Sequence, residues 1–309
     1  MSHELKTGKN IRKQILTCLI GDPVEHSVSD RMFGYFASIA KIEKYHHLKL
    51  RVPKKNYQNL SITIRALSIF DIAGTNVTLP YKETVTKYLH KIDKTAKRIG
   101  AVNTIANKNS KLVGYNTDGL GAVKAIERQL RPIERSDYFL IFGVGGAARA
   151  VIGSLPPVSG IMVLYRKSDL AAATRLKKDF KKIGIKINVI SNKNIVDGIA
   201  RANFIVNATP VGMYPKNRYS LINEKNIQSA DLLSPVKNKL FFDVVFNPFK
   251  TSFLEIAEKN GAKICPGIYM TIYQGIEAFR IWTGKKISEK KVNNICELLQ
   301  KEIEKNYEK

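Results

Sequence analysis

Cysteine is scarce: the chain of 309 residues carries three, at positions 18, 265 and 296. They are odd in number, far apart and without zinc-ligand spacing, so a structural metal is not expected and a reducing cytoplasm fits best. Long apolar runs are missing too. The longest apolar stretch, Tyr138 to Leu155, contains Arg149 and several glycines, so no membrane span is expected. The apolar run Ile15–Ile20 is too short for most signal peptides, and no small-residue cleavage site follows it. Repeats and low-complexity segments are absent. Acidic residues are few, 26 against 51 Lys plus Arg, for a formal charge of +25. Such a balance favours anionic partners, from nucleic acid to small acidic ligands. Yet the basic pairs (Lys54-Lys55, Lys177-Lys178, Lys181-Lys182, Lys285-Lys286) are scattered, without a dense block or interleaved aromatics. Nucleic acid is therefore not an expected partner.

What is present is a normal globular mix, 44% hydrophobic and 25% charged. Short apolar runs alternate with helical periodicity. Ile15–Ile20, Tyr45–Leu50 and Gly74–Thr78 read as strands. Met32, Phe33, Phe36, Ile39 and Ala40, then Tyr57, Leu60, Ile64 and Leu67, fall on helix faces. This alternation predicts an α/β domain with a mainly parallel sheet. A Gly/Asn/Asp-rich turn at Gly114–Gly121 leads into a helix over Leu120–Leu130. A second series then begins, with strands at Tyr138–Phe142, Ile161–Leu164, Ile185–Ile190, Phe204–Val206 and Leu240–Val245, the pattern of a doubly wound nucleotide-binding domain. The end, Gly267–Trp282 and Ser288–Tyr307, reads as helical and is expected to pack back on the first domain. The expected division is 1–118 completed by 268–309, with 119–267 as the Rossmann-like dinucleotide domain.

Gly143-Val144-Gly145-Gly146-Ala147-Ala148 follows a strand and opens a helix, matching G-x-G-x-x-(G/A). Gly143 permits the turn, Gly145 lets backbone approach a pyrophosphate, and the helix N-terminus offers N–H donors to phosphate. At the end of the next strand, where an NAD enzyme places an acid, stand Tyr165-Arg166-Lys167-Ser168. Arg166 and Lys167 suit a 2′-phosphate, so NADP is favoured over NAD.

Four polar segments in the first half do not suit a core: Gly21–Ser29, Asn76–Lys82, Gly100–Thr104 and Gly114–Gly119. Each is expected at the end of a strand, facing the nucleotide domain across a cleft. From the residues alone, Lys82 reads equally as a solvated lysine or a catalytic one. Asp118 reads as a helix cap or a catalytic carboxylate. Asn116 and Thr117 could merely shape the turn, and His26 is read as bracing its loop.

With the Gly143 loop, Asn207-Ala208-Thr209-Pro210-Val211-Gly212-Met213, Asp243–Pro248, and Gln274-Gly275…Trp282-Thr283-Gly284, these segments resemble the shikimate dehydrogenase family, in the family's order, from about Cys18 to Gly284. The resemblance implies a substrate domain, then an NADP domain, and the reversible reduction of 3-dehydroshikimate to shikimate by NADPH. Lys82 and Asp118 match its catalytic pair. Ser27 and Ser29 match the holders of the substrate carboxylate, and Thr78, Asn103 and Gln274 the ring-hydroxyl ligands. Gly143–Ala147 and Arg166 match the cofactor site; Thr209, Met213, Val244 and Gly267 would lie near the nicotinamide. The chain departs from the family at Asp30, usually Pro, at Gly34, usually Asn, and at Phe246, usually Tyr. Tyr165 and Lys167 replace its usual Asn and Thr around Arg166. These departures leave a quinate or aminoshikimate dehydrogenase open, and the glycine loop with the +25 charge leaves a non-catalytic NADP- or nucleic-acid-binding protein open. Monomer and homodimer both remain open.

Overall fold

The computed structural model describes residues 14–54, 57–215, 219–232 and 234–307. Lys55, the first thirteen residues of the expected 1–118 unit and 308–309 of the last lie outside that set.

The first half forms a six-stranded sheet from β1 (Ile15–Gly21), β2 (Tyr45–Arg51), β3 (Gly74–Val77), β4 (Lys91–Ile92), β5 (Thr104–Lys108) and β6 (Lys111–Tyr115), in the order β2-β1-β3-β5-β6-β4. Helices α1 (Ser29–Ile39), α2 (Tyr57–Ile69) and α3 (Lys94–Ile99) connect its strands. β1, β2 and β3 are parallel, as the alternation predicts, but β5 runs antiparallel to both β3 and β6. Because β6 and β4 run with β1–β3, the sheet is mainly parallel, as expected, with β5 its one antiparallel strand. The hairpin turns on Asn109 and Ser110, both left-handed at φ 52° and 62°, the geometry whose twist suits a two-residue hairpin. Without the glycine that normally marks such a turn, Lys108–Lys111 does not announce it.

α4 (Asp118–Gln129) leads into the second sheet. Its strands are β7 (Tyr138–Phe142), β8 (Gly160–Tyr165), β9 (Asn188–Ser191), β10 (Phe204–Asn207), β11 (Leu240–Asp243) and β12 (Lys263–Cys265), all parallel in the order β12-β11-β10-β7-β8-β9. The crossovers carry α5 (Gly146–Ser154), α6 (Leu170–Lys181), α7 (Ile195–Arg201), α8 (Glu224–Asp231) and α9 (Ser252–Lys259). Strand residues alternate between two apolar layers: Phe139, Ile141, Phe204 and Phe242 face one, Leu140, Phe142, Ile205 and Phe241 the other. Both faces are covered, which is why these strands read as unbroken apolar runs. Burying each such side chain contributes about 1.5–3 kcal/mol, and Phe139 and Phe204 stack at 4.6 Å. The order reverses direction between β7 and β10, so the loops after those two strands flank the switch point where ligands collect in such sheets.

α10 (Gly267–Thr283) and α11 (Val292–Tyr307) return to the first sheet. Trp282 donates its indole N–H to the Ile105 carbonyl at 2.9 Å and packs on Phe33 at 5.0 Å. α4 is wedged between α5 and α10. Gly121 allows this, since a Cβ there would lie 2.8 Å from the Gln274 backbone nitrogen.

Candidate active site

The four polar segments gather at one edge of the first sheet. β1, β3 and β6 end there. Gly100–Thr104 does not end a strand, as expected, but precedes β5. Because β5 runs antiparallel, its start meets the ends of its neighbours. Asn103 thus faces the turn that opens α4.

Lys82 Nζ donates to Asp118 Oδ2 at 2.6 Å. Both side chains are largely buried, at 19% and 9% exposure. Asp118 is the first residue of α4, yet its carboxylate takes Lys82 and the Asn103 amide (2.8 Å to Oδ1) rather than capping the helix. The Asn103 orientation follows from its other end: Oδ1 accepts the Thr117 backbone N–H at 2.7 Å, so the amide nitrogen must face Asp118. Thr117 Oγ1 and Asn103 Nδ2 both donate to Gln274 Oε1, at 3.2 and 3.4 Å, tying α10 into the cluster. Behind it, Asn76 Nδ2 donates to Thr104 Oγ1, which donates to Asn103 Oδ1. Asn76, Thr104 and Thr117 are buried members of this network that the sequence does not single out as site residues; the polar runs containing them were the available signal. Asn116 shapes the turn, donating to the Ala101 carbonyl and accepting from Gly119 N.

Thr78 follows the last residue of β3, its N–H on the Ile20 carbonyl and its carbonyl accepting Tyr81 N. The serine segment lies beside it, since Asp22 N donates to the Leu79 carbonyl at 2.9 Å. Ser29 N donates to Ser27 Oγ at 3.2 Å, and Ser29 Oγ is buried without a partner. His26 packs edge-on against Tyr214 at 6.1 Å, a contact between the serine loop and the loop after β10. A cleft of about 300 Å³ opens here, walled by Ser27, Asp30, Lys49, Tyr214 and Asn247 among others. Lys82 and Asp118 lie outside its walls.

On the second sheet, Gly143 takes φ +105°, a conformation open to glycine. The α5 N-terminus that follows has Gly145 as its cap residue and no side chain capping it. A Cβ on Gly145 would meet nothing within 4 Å, while one on Gly146 would lie 3.9 Å from Lys82 Cδ. Free N–H donors beside open space fit a dinucleotide phosphate, and they stand next to Lys82. Val144 and Ala147 pack against the apolar core. Arg166, one strand away at the end of β8, is largely exposed and donates from Nε to Asp169 at 2.9 Å; Lys167 is exposed beside it. These two form a separate lip of the site.

Thr209 abuts Gly143, and its N–H and hydroxyl both donate to Asn207 Oδ1, at 2.9 and 2.7 Å. Asn207 Nδ2 donates to Asp243 Oδ1, which also accepts Val245 N, while Thr251 Oγ1 donates to Oδ2 at 2.6 Å. Burial pushes the Asp243 carboxyl up to about 7 despite these three donors. This buried brace was not assigned from the sequence, although Asn207 and Asp243 stand in the quoted motifs and only Thr251 lies outside them. Gly267 presses against the Val244 backbone, and Met213 is exposed on the loop after β10.

Comparison with known proteins bears on the whole chain. The model for the shikimate dehydrogenase substrate binding domain matches residues 19–105, and that for the shikimate 5'-dehydrogenase C-terminal domain matches residues 267–295. A shikimate dehydrogenase (NADP(+)) of Methanococcus vannielii is 37% identical over 278 residues, 89% of this chain and 93% of that protein. The crystal structure of a shikimate dehydrogenase in complex with NADP+ has a TM-score of 0.81 at 34% identity, covering 92% of this chain and 94% of the other. That of Listeria monocytogenes shikimate 5-dehydrogenase in complex with shikimate and NAD gives 0.80 at 31% identity, covering 93% and 96%. With likeness in sequence and in fold over nearly its full length, the chain belongs to the shikimate dehydrogenase family.

Proposed function

We propose that this protein is an NADP-dependent shikimate dehydrogenase that interconverts 3-dehydroshikimate and shikimate. The observation that carries the reading is the 2.6 Å contact between Lys82 and Asp118 beside the open N-terminus of α5. In this reading residues 1–118 with 268–309 hold the substrate and 119–267 the cofactor.

Gly143–Ala147 would hold the cofactor pyrophosphate, Arg166 and Lys167 its 2′-phosphate, and Thr209, Met213, Val244 and Gly267 its nicotinamide end. The cofactor supplies a hydride to the ketone carbon. The protein handles the proton. The Lys82 ammonium stabilises negative charge growing on the ketone oxygen and donates a proton to it; in the oxidative direction the neutral amine takes the proton back. Asp118 holds that ammonium, and Asn103 holds Asp118. Thr78, Asn103 and Gln274 orient the ring hydroxyls, and Ser27 and Ser29 take the carboxylate. Three free, buried cysteines support a reducing, cytoplasmic setting.

Following NADPH absorbance with shikimate and NADP tests the reading; folded protein without turnover overturns it. A quinate or aminoshikimate dehydrogenase is the second reading, favoured by the Asp30 carboxylate on the cleft wall and by Phe246, which brings no hydroxyl. Comparing kcat/KM across the three acids, each with NADP and NAD, separates the readings, because a site that lacks a polar contact ranks the substrates differently.

A further inference from the structure

Asp30 poses a problem for any site that takes a carboxylate beside Ser27 and Ser29: it puts a negative charge where another must bind. The structure shows what offsets it. Lys49, on the edge strand β2, pairs in register with Leu19 of β1 and so reaches the loop that follows β1. Its Nζ donates to the Ser27 carbonyl at 3.0 Å and to the Glu25 carbonyl at 3.4 Å. The same ammonium lies 3.5 Å from Asp30 Oδ1, and that oxygen has no hydrogen-bond partner. Two N–H donors thus anchor Lys49 to the serine loop, and the third faces a carboxylate that it neutralises without a formed hydrogen bond. Of the neighbouring arginines, Arg51 is paired with Asp22 at 2.8 Å, and Arg31 is mostly exposed and lies 4.0 Å from Glu302, without the backbone anchors that hold Lys49 to the serine loop.

We propose that Lys49 is the specificity-determining cation for the substrate carboxylate, kept in place by Asp30 until the substrate arrives. A carboxylate at Ser27 then receives the third donor, a charge-assisted bond stronger than the 3.5 Å pair it replaces. Asp30 is thereby a holder of the cation rather than a second anion in the site. Neutral hydroxyls alone would leave the incoming charge unmet in a half-buried cleft. The inference rests on the dehydrogenase reading above.

The test compares shikimate with its methyl ester, which keeps the ring and lacks the charge, on wild type, Lys49→Met, Lys49→Arg and Asp30→Asn. Turnover of shikimate by wild type secures the dehydrogenase reading first; if quinate is turned over instead, the same arms are run with quinate and its ester. No turnover of any of these acids overturns that reading and this inference with it. In Lys49→Met, KM for the acid rises about ten- to a hundredfold, KM for the ester stays within about threefold, and NADP affinity holds. Lys49→Arg retains most of the acid preference, and Asp30→Asn lowers KM for the acid. An acid-over-ester preference unchanged in Lys49→Met overturns the proposal, as does an equal loss for acid and ester in both Lys49 variants. A KM that rises in Asp30→Asn overturns the holding role of Asp30.

Discussion

The Lys82 cluster and the serine cleft differ in how fully their polar groups are paired. At the Lys82 end each amide, hydroxyl and charge of the cluster has a partner within 3.4 Å, through Asp118, Asn103, Thr117 and Gln274. At the serine end, Ser29 Oγ, Asp30 Oδ1 and Asn247 Oδ1 are buried without hydrogen-bond partners. A complete network cannot rotate without losing several bonds at once, so it fixes the Lys82 ammonium in one place. Of these, the Ser29 hydroxyl is a donor left open to an incoming acceptor. The proposed function puts chemistry at the fully paired cluster and recognition at the unfinished one.

Removing the ammonium at the rigid end should cost the most. Lys82→Ala is expected to lower kcat by about 10²–10⁴-fold, with little change in NADP affinity, as read by NADPH absorbance and by cofactor titration. Near-full turnover would end the assignment. Asn103→Ala tests whether the network, rather than the pair, sets the position of Asp118. It leaves Thr117 N and Asp118 Oδ1 unmet, so a loss of about 1–3 kcal/mol in denaturant unfolding is expected, with kcat reduced about tenfold or more. A kcat fall without a stability loss would mean that Asn103 acts on substrate alone.

At the unfinished end stability and binding separate. Ser29→Ala deletes a hydroxyl with no partner in the free protein, so stability should hold within about 1 kcal/mol, while KM for shikimate rises severalfold. Lost stability there would erase the contrast between the two ends. The smallest effect is expected beneath the loops after β10 and β11, where Asp243 is also fully bonded. Its folded pKa of about 7 lies above the ordinary 3.8. The folded state therefore keeps this proton where the unfolded state has released it, and the contribution of Asp243 to stability is present below about 4 and declines as pH rises towards 7. Asp243→Asn removes that dependence. Melting curves at pH 5 and pH 8 should show the variant gaining on wild type at the higher pH.

Parts of this site can be read along the chain because they are local. Gly143–Ala148 follows β7 directly, and the turn, the helix start and its uncapped N–H groups all depend on neighbours within a few residues. The unbroken apolar runs of β7, β8 and β10 likewise report burial on both faces. The Asn109-Ser110 hairpin was not legible, since its left-handed residues are not glycines, and with it went the direction of β5. That direction matters: it carries Asn103 to the edge where β3 and β6 end.

Whether Asp118 caps its helix or meets a cation, and whether Lys82 is solvated or paired, had no local answer. Those residues are 36 apart in the chain, and the contact exists because β3 and β6 flank β5 and end at one edge. Lys49 was further from view, as its neighbours Ser27 and Asp30 reach it through the pairing of β2 with β1. Periodicity and glycine spacing encode what each segment becomes, because they act over one or two turns of chain. Which charges meet is set by strand order and strand direction, and these depend on how whole layers pack.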